Sequence, residues 1–120
     1  MYIFPICSGC AHTKMNRKGR EWFSLELPTA QNVAKVQIAR RMGYWGQGQN
    51  IKVTIGPSKS YDPNEPTCTD IDDLKRESGL QDYVCTGNLP PGQFVKLSKI
   101  GFLVLCEVKV FVFQNMTGGL

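Results

Sequence analysis

The feature that most constrains this chain is a two-residue alternation of apolar and polar side chains. It runs through WFSLEL (22–27), VAKVQIA (33–39) and IKVTIG (51–56), and this period is typical of a β-strand with one buried face. The side chains expected to face the core are Phe23, Leu25, Leu27, Ala34, Val36, Ile38, Ile51, Val53 and Ile55. Such strands, without alternating helices, predict an all-β fold, an antiparallel β-sandwich or jelly roll.

Three further segments complete the predicted elements. Gln93–Leu97 indicates another strand, and FLVLCEVKVFVF (102–113) is too long for a straight strand, so we expect a bend or bulge within it. DIDDLKRESGL (70–80) has helical character, with Asp70 as the N-cap of one or two turns. It lies in a polar run from Gly56 to Asp82 that is expected to be a long connection.

Size and composition exclude several classes of protein. With 120 residues, 42% hydrophobic and 20% charged, the chain is expected to form a single soluble domain. It has no apolar run long enough for a membrane span. The net charge of +4 is mild, and the basic segment Lys14–Arg20 is expected to be a solvated loop. We therefore predict no nucleic-acid partner.

The five cysteines favour an oxidising, extracellular compartment, because small secreted domains supplement their cores with disulfides. Asn115, in the sequon NMT, is a candidate glycosylation site of the same compartment. The opening residues MYIFPICSGCA lack the features of a signal peptide. We therefore expect a secreted protein whose export signal is not in this chain.

The cysteine positions suggest two bridges. Cys68 and Cys85 flank most of the polar run, and joining them closes a loop of about 17 residues, which contributes about 3 kcal/mol in the loop-entropy model. Cys10 and Cys106 would join the beginning of the domain to its last strand. Cys7 would then be free. Spacing alone does not establish this pairing, because five cysteines allow many combinations.

A competing arrangement is a metal cluster formed by Cys7, Cys10 and His12, since thiolates and imidazole are good zinc ligands. No fourth ligand is obvious. Catalysis has little support, because His12 is the one histidine, spacing suggests no Ser-His-Asp arrangement, and no phosphate-cradling glycine loop is present. The chain is therefore predicted not to be an enzyme.

Five blocks of the sequence carry a family resemblance. They are CAHT (10–13), EWFSLEL (21–27), VAKVQIARR (33–41), IKVTIG (51–56) and GQFVKLSKIGFLVLCEVKVF (92–111). In this order they resemble the F-type lectins, the fucolectin relatives with a discoidin-like jelly roll. The resemblance covers about residues 10–113 of one domain spanning 1–120, with 1–9 and 114–120 as tails. Its last block is the most specific, because Leu-Cys-Glu-Val before alternating apolar residues is the family's usual ending.

The resemblance implies bridges between Cys10 and Cys106 and between Cys68 and Cys85. It also implies a structural calcium site in which Glu107 and the carbonyl oxygen of Cys106 are ligands. Family members open with an additional segment that supplies the first strand and the other calcium-binding loop, and this chain is expected to begin after that segment. Calcium takes six to eight oxygen ligands, so Glu107 and one carbonyl fall short of a complete site.

The resemblance places a sugar site around His12 and Arg41, which match the histidine and the first arginine of the family's binding motif by block alignment. Fucose presents vicinal hydroxyl groups and a methyl group. A site for it combines charged hydrogen-bond donors with an apolar platform. We expect Arg41 to donate paired hydrogen bonds, and His12 to donate one more.

The rest of the motif departs from the family pattern. Gly43 stands at the aspartate position, and the second basic residue falls at or near Gln47. Tyr44 and Trp45 occupy the place of the adjacent cysteines that form an apolar platform in many relatives. An aromatic face packs against sugar C–H groups, and a glutamine both donates and accepts hydrogen bonds. The sequence therefore predicts an altered site.

The resulting hypothesis is a carbohydrate-binding lectin that recognises fucose-like units of glycans or glycoproteins through an incomplete motif. Because a basic residue is missing, we expect weak monosaccharide binding and a homo-oligomer that supplies avidity. Two alternatives stay open. One is a β-sandwich adhesion module whose exposed aromatic residues contact protein or phospholipid, and the other is a truncated relative that does not bind sugar.

Overall fold

The structure is a computed structural model that describes residues 2–4, 11–13, 18–43 and 45–113. In these residues it contains ten β-strands and one 3-10 turn, η1, at Trp45–Gly48. The strands are β1 (Tyr2–Phe4), β2 (Ala11–His12), β3 (Arg20–Gln31), β4 (Val33–Ala39), β5 (Gln49–Gly56), β6 (Thr67–Asp73), β7 (Leu80–Val84), β8 (Gly92–Ile100), β9 (Val104–Leu105) and β10 (Glu107–Val112).

The strands form two four-stranded antiparallel sheets and one short pair. The first sheet has the order β1-β10-β4-β7, the second sheet has the order β3-β8-β5-β6, and β2 pairs with β9. The buried apolar residues of both sheets form one cluster, so the sheets pack as a sandwich. The predicted all-β antiparallel sandwich is confirmed. Residues 2–4, which precede the region of family resemblance, pair with β10 in the first sheet.

The alternating residues form this core as predicted, with one change of phase. Residues 25 and 27 of β3, 36 and 38 of β4, and 51, 53 and 55 of β5 are buried, and Phe23 packs against them. At the start of β4, however, Val33 is buried and Ala34 is only half-buried. The register between β4 and β10 shifts at Phe111/Val112. Such a shift changes which side chains face the core, and alternation within one strand does not reveal it.

The long C-terminal apolar run is interrupted, as predicted. β9 ends at Leu105 and β10 begins at Glu107, so Cys106 stands between two strands that belong to different sheets. The backbone N–H of Cys106 donates to the carbonyl oxygen of Ala39 at 3.2 Å. This bond fixes the break beside the end of β4.

The helix predicted at residues 70–80 is wrong. Residues 67–73 form β6, in which Ile71 is buried between the exposed Asp70 and Asp72 and pairs with Ile51 of β5. Because β6 is an edge strand with one face toward solvent, its acidic side chains stay hydrated. The part of the chain that the structure describes has no α-helix, and thus none long and apolar enough to cross a membrane.

The predicted bridge between Cys68 and Cys85 is confirmed, with 4.2 Å between the Cα atoms. Cys68 lies in β6, at the edge of the second sheet, and Cys85 follows β7, at the edge of the first sheet. The bridge therefore joins the two sheets. Cys106 is also disulfide-bonded. Cys7 and Cys10 lie outside the described residues, so the Cys10–Cys106 pairing and the alternative zinc cluster are not tested.

The connection between β5 and β6, residues 57–66, folds over the outer face of the second sheet. Lys96 of β8 lies beneath it, fully buried, where its ammonium group donates to the carbonyl oxygen of Ser60 at 2.8 Å and contacts the carboxylate of Glu65. The indole N–H of Trp22 donates to the carbonyl oxygen of Lys59 at 3.1 Å. These contacts hold a long polar connection in place.

Candidate functional site

Three segments that carry predicted site residues meet at one end of the sandwich. β2, with His12, pairs with β9, and Thr13 extends this pairing through its backbone N–H to the carbonyl oxygen of Leu103 at 3.0 Å. The connection from β4 to β5, with Arg41, crosses from the first sheet to the second through η1, which contains Gln47. η1 in turn contacts β9. The structure thus brings the segments of His12, Arg41 and Gln47 together.

The platform residues cannot be placed in the same way. Tyr44 lies outside the described residues. Trp45 begins η1, but its side chain also lies outside them. Gly43, at the position of the family's aspartate, has a φ of 86°, a backbone conformation that glycine adopts without the cost paid by other residues. The aromatic platform is therefore still a prediction.

His12 is exposed and has a defined hydrogen bond. Its Nδ1 lies 2.9 Å from the carbonyl oxygen of Thr13. Because a carbonyl oxygen only accepts, Nδ1 carries the proton and Nε2 of the neutral ring is an acceptor. The ring also contacts Phe102, with 5.5 Å between centroids. A neutral His12 would therefore accept a hydrogen bond from a ligand hydroxyl through Nε2, whereas the sequence led us to expect that it donates one.

Two consecutive arginines follow β4, and the structure separates their surroundings. Arg40 is buried, and its guanidinium donates to the Asp73 carboxylate at 2.8 Å and to the carbonyl oxygen of Leu74. Arg41 is half-buried. Arg40 therefore ties the crossing segment to the end of β6, whereas Arg41 is the arginine that the family resemblance matches to the binding motif.

The Asp73 carboxyl group is held ionised by this contact. Partial burial alone would raise its pKa, but hydrogen bonds and charge attraction from Arg40 and Arg76 outweigh that effect and lower the pKa below its usual value. Arg76 is the more distant partner, at 3.3 Å. Near neutral pH the ionised Asp73 carboxylate therefore balances the charge of the Arg40 guanidinium beside the candidate site.

Gln47 presents an unusual buried acceptor. Its Oε1 is buried and has no hydrogen-bond partner among the described residues. A buried acceptor without a partner costs about 1–3 kcal/mol, so such groups are often satisfied by water or a ligand. This atom lies on η1, where the second basic residue of the family's motif was expected.

Lys99 is a residue of this end that our sequence analysis missed. It follows Val95 and Leu97 on the inward face of β8 and is 9% exposed, and its ammonium group forms no hydrogen bond or ion pair with any residue that the structure describes. Burial lowers the pKa of its ammonium group. The sequence pattern could have revealed Lys99, because a lysine at an inward-facing position of an alternating strand is rarely buried unless it is paired.

The predicted calcium ligands lie at the same end. Glu107 is half-buried at the first position of β10, beside Ala39. Among the described residues, no group of three or more His, Cys, Asp and Glu side chains is arranged to hold a metal ion. The described carboxylate and carbonyl do not by themselves fit the six to eight oxygen ligands of calcium.

Comparisons with known proteins place this geometry in context. No protein-family model and no curated protein matches the chain. An F-type lectin (fucolectin) from the serum of the striped bass, Morone saxatilis, matches with a TM-score of 0.72 and 24% identity over 88% of this chain and 36% of the bass chain. Two structures of the lectin domain of lectinolysin, one a mutant and both complexed with Lewis b, match with a TM-score of 0.63 and 22% identity.

These matches differ in extent. The lectinolysin structures are covered over 72% of their length, whereas this chain spans 36% of the bass lectin. All three cover 88% of this chain, which includes most of both sheets. The chain therefore has the fold of the F-type lectins, a discoidin-like antiparallel β-sandwich.

Proposed function

We propose that the chain is a carbohydrate-binding lectin that recognises fucose-like units of glycans at the end of the sandwich bearing His12, Arg41 and Gln47. The observation that carries the proposal is the convergence of β2, the β4–β5 crossing and η1 around β9. Similarity in fold to a fucolectin and to a lectin domain complexed with Lewis b supports a glycan partner.

The side chains at this end have complementary hydrogen-bonding capacity. The Arg41 guanidinium donates in a fork that matches two vicinal hydroxyl oxygens. His12 Nε2 and Gln47 Oε1 accept hydrogen bonds from hydroxyl protons, and the second of these atoms is buried without a partner among the described residues. Tyr44 or Trp45 would supply the apolar platform for the sugar's C–H groups.

Lys99 would supply the second cation that the motif lacks at Gln47. It lies on β8 four residues before Leu103, which bonds to Thr13 beside His12. A cationic donor contributes about 1.5–3 kcal/mol per hydrogen bond to a neutral partner. We expect Lys99→Met to weaken fucose binding while the fold is retained, because methionine preserves the buried part of the side chain.

NMR titration of the ¹⁵N-labelled chain with methyl α-L-fucoside tests the proposal. We expect shifts at backbone amides of residues 41–48 and at the His12 ring, with a Kd in the millimolar range, about −4 kcal/mol. Arg41→Ala should weaken binding by tenfold or more. Lys59→Ala is the matched control, because it removes one positive charge from the exposed connection on the second sheet.

Absence of shifts at saturating fucoside, or an unchanged response of Arg41→Ala, would contradict the site. The adhesion-module hypothesis would then be favoured. Among the exposed aromatic residues, Trp22 is 40% exposed, but it contacts Tyr61 and bonds to the Lys59 carbonyl oxygen. Because Trp22 holds the connection in place, it is less available for a contact with protein or phospholipid. The sugar site therefore has more support than the adhesion-module hypothesis.

We also propose an extracellular location and a calcium site for this chain. The Cys68–Cys85 disulfide supports an extracellular location, and we propose that the chain is secreted. The resemblance also leads us to propose Glu107 and the Cys106 carbonyl as part of a calcium site whose remaining ligands are not among the described residues. A Glu107→Gln variant tests this role through the calcium dependence of thermal unfolding.

A further inference from the structure

A separate cleft opens at the other end of the sandwich. Its volume is about 310 Å³, and its walls include Asn32 and Val33 at the start of β4, Asn88 and Leu89 after β7, and Phe113 after β10. Arg41 follows the opposite end of β4. At about 3.3 Å per residue, the length of β4 separates the two ends by about 20 Å. The cleft is therefore distinct from the candidate fucose site.

Backbone hydrogen bonds and a disulfide fix the walls of this cleft. The N–H of Phe113 donates to the carbonyl oxygen of Asn32 at 2.8 Å, and the N–H of Cys85 donates to that of Ala34 at 3.0 Å. Cys85, which also lines the cleft, is bridged to Cys68. A cleft with these restraints is largely formed before any ligand binds, which reduces the ordering cost of binding.

The lining of the cleft is uncharged and combines hydrogen-bonding side chains with apolar surface. The side-chain amides of Asn32 and Asn88 form no hydrogen bond with any described residue, and each offers both donors and an acceptor. Leu89 and Val33 supply apolar surface, and Phe113 is 65% exposed. No Asp, Glu, Lys or Arg is found among the described residues that line the cleft.

This combination selects for one kind of ligand. A charged ligand would lose hydration without gaining an ion pair. A purely apolar ligand would contact Leu89 and Phe113 and make no hydrogen bond to the two amides, which are exposed. A neutral sugar satisfies both parts of the lining, because its hydroxyl groups pair with the amides and its C–H face packs on the phenyl ring. The volume lies at the lower end of ligand pockets, about 300 Å³, and suits a single sugar unit.

We propose that this cleft is a second carbohydrate site that binds one neutral hexose unit between Asn32, Asn88 and Phe113. It does not depend on fucose recognition at the His12 and Arg41 end. A chain with both sites contacts two parts of one glycan, or two glycans, from opposite ends of the sandwich.

NMR titration of the ¹⁵N-labelled chain with methyl β-D-glucopyranoside tests the proposal. We expect shifts of the side-chain amide signals of Asn32 and Asn88 and of the backbone amide of Leu89. Glucuronate and glucosamine, which carry a charge, should bind about tenfold more weakly or worse, because no counter-charge lines the cleft. Equal binding of the charged sugars, or no shift with the neutral one, would overturn the proposal.

Substitutions assign the shifts to the cleft. Asn88→Ala and Asn32→Ala should each raise the Kd by about two- to tenfold, the value of one neutral hydrogen bond. Asn64→Ala, in the exposed connection on the second sheet, is the matched control and should change nothing. Arg41→Ala should weaken the fucoside response by tenfold or more and preserve the glucoside response. Loss of both responses in Arg41→Ala, or loss of the glucoside response in Asn64→Ala, would contradict a separate cleft.

Discussion

Lys96 lies on the outer face of the second sheet, beneath residues 57–66. Without this connection its side chain would be exposed to solvent. It is fully buried, and Glu65 beside it is nearly so. The paired charges lose their hydration, and the Ser60 carbonyl and the Glu65 carboxylate replace it. Such a pair specifies one position of the connection more than it adds net stability.

The first prediction concerns this pair. Lys96→Met leaves the Glu65 carboxylate buried without its cation, so we expect the free energy of unfolding to fall by about 3–5 kcal/mol. The double variant Lys96→Met with Glu65→Leu should recover most of that loss, because no charge is then left unpaired. Urea unfolding measures both. Lys59→Met, in the same connection but exposed, should change stability by less than about 0.5 kcal/mol.

The second prediction concerns Asp73, whose pKa is lowered by Arg40 and Arg76 against the opposing effect of burial. A carboxyl group with a depressed folded-state pKa contributes stability above its unfolded pKa, near 3.8, and loses that contribution as pH falls through the folded-state pKa. Asp73→Asn cannot titrate. Its unfolding free energy should therefore fall less steeply than that of the native chain as the pH drops below about 4.

Thermal or urea unfolding between neutral pH and pH about 3 measures this difference in slope. Asp72→Asn, one residue earlier and exposed, is the matched control and should retain the acid dependence of the native chain. If Asp73→Asn shows the full native loss of stability in acid, the ion pair with Arg40 does not contribute to the pH dependence.

At the scale of elements, the two sheets are joined at one edge by a covalent bond and at one end by a crossing segment. The disulfide links β6 to the residue after β7. The backbone supports it, because the N–H of Thr86 donates to the carbonyl oxygen of Cys68 at 2.9 Å. The crossing segment is fixed by Arg40 through Asp73 and the Leu74 carbonyl oxygen.

The third prediction is the effect of removing this disulfide. The bridge closes a loop with a sequence separation of 17, and the loop-entropy model assigns about 3 kcal/mol to such a closure. We expect the Cys68→Ala, Cys85→Ala double variant to lose roughly that amount in urea unfolding under oxidising conditions. A loss below about 1 kcal/mol would show that strand pairing and packing alone hold the edge strands together.

Elements with a strong period were predictable, and those whose pattern depends on neighbours were not. The boundaries of β4 coincide with VAKVQIA, because one face of this central strand is apolar throughout. β6 was misassigned as helix because DIDD contains no strand former except Ile71. Its strand conformation comes from pairing with β5, and sequence propensity does not encode such tertiary pairing.

The candidate site shows the same division. Family blocks placed His12 and Arg41 in segments that meet in three dimensions. Whether His12 donates or accepts through each ring nitrogen could not be predicted from the sequence, because it depends on where the carbonyl oxygen of Thr13 lies in the structure. Lys99 lies in a family block but matches no family site residue, and its burial becomes clear only when the sheets are packed.

At the scale of the whole molecule, the two ends of the sandwich differ in charge. One end carries Arg40, Arg41 and Lys99 together with Asp73 and Glu107, and the cleft at the other end has no charged lining among the described residues. β4 runs between them as a central strand of the first sheet. A ligand that meets both ends must therefore present different chemistry to each.

The last prediction concerns avidity and rests on the proposed fucose site. Even with Lys99 as a second cation, a single site with the neutral Gln47 at the second basic position of the motif is expected to hold a monosaccharide with a Kd near 1 mM, about −4 kcal/mol. Linking several copies makes later binding events intramolecular, which raises the apparent affinity for a multivalent surface by about 10²–10⁴. Chains biotinylated at one end and assembled on streptavidin should therefore bind a densely fucosylated surface in biosensor measurements, while the single chain at the same concentration gives little signal.

Tetramers of Arg41→Ala should lose this gain in affinity, and tetramers of Lys59→Ala should keep it. Equal binding by single chains and tetramers would mean that each site is already strong and that Gln47 in place of a basic residue does not weaken it.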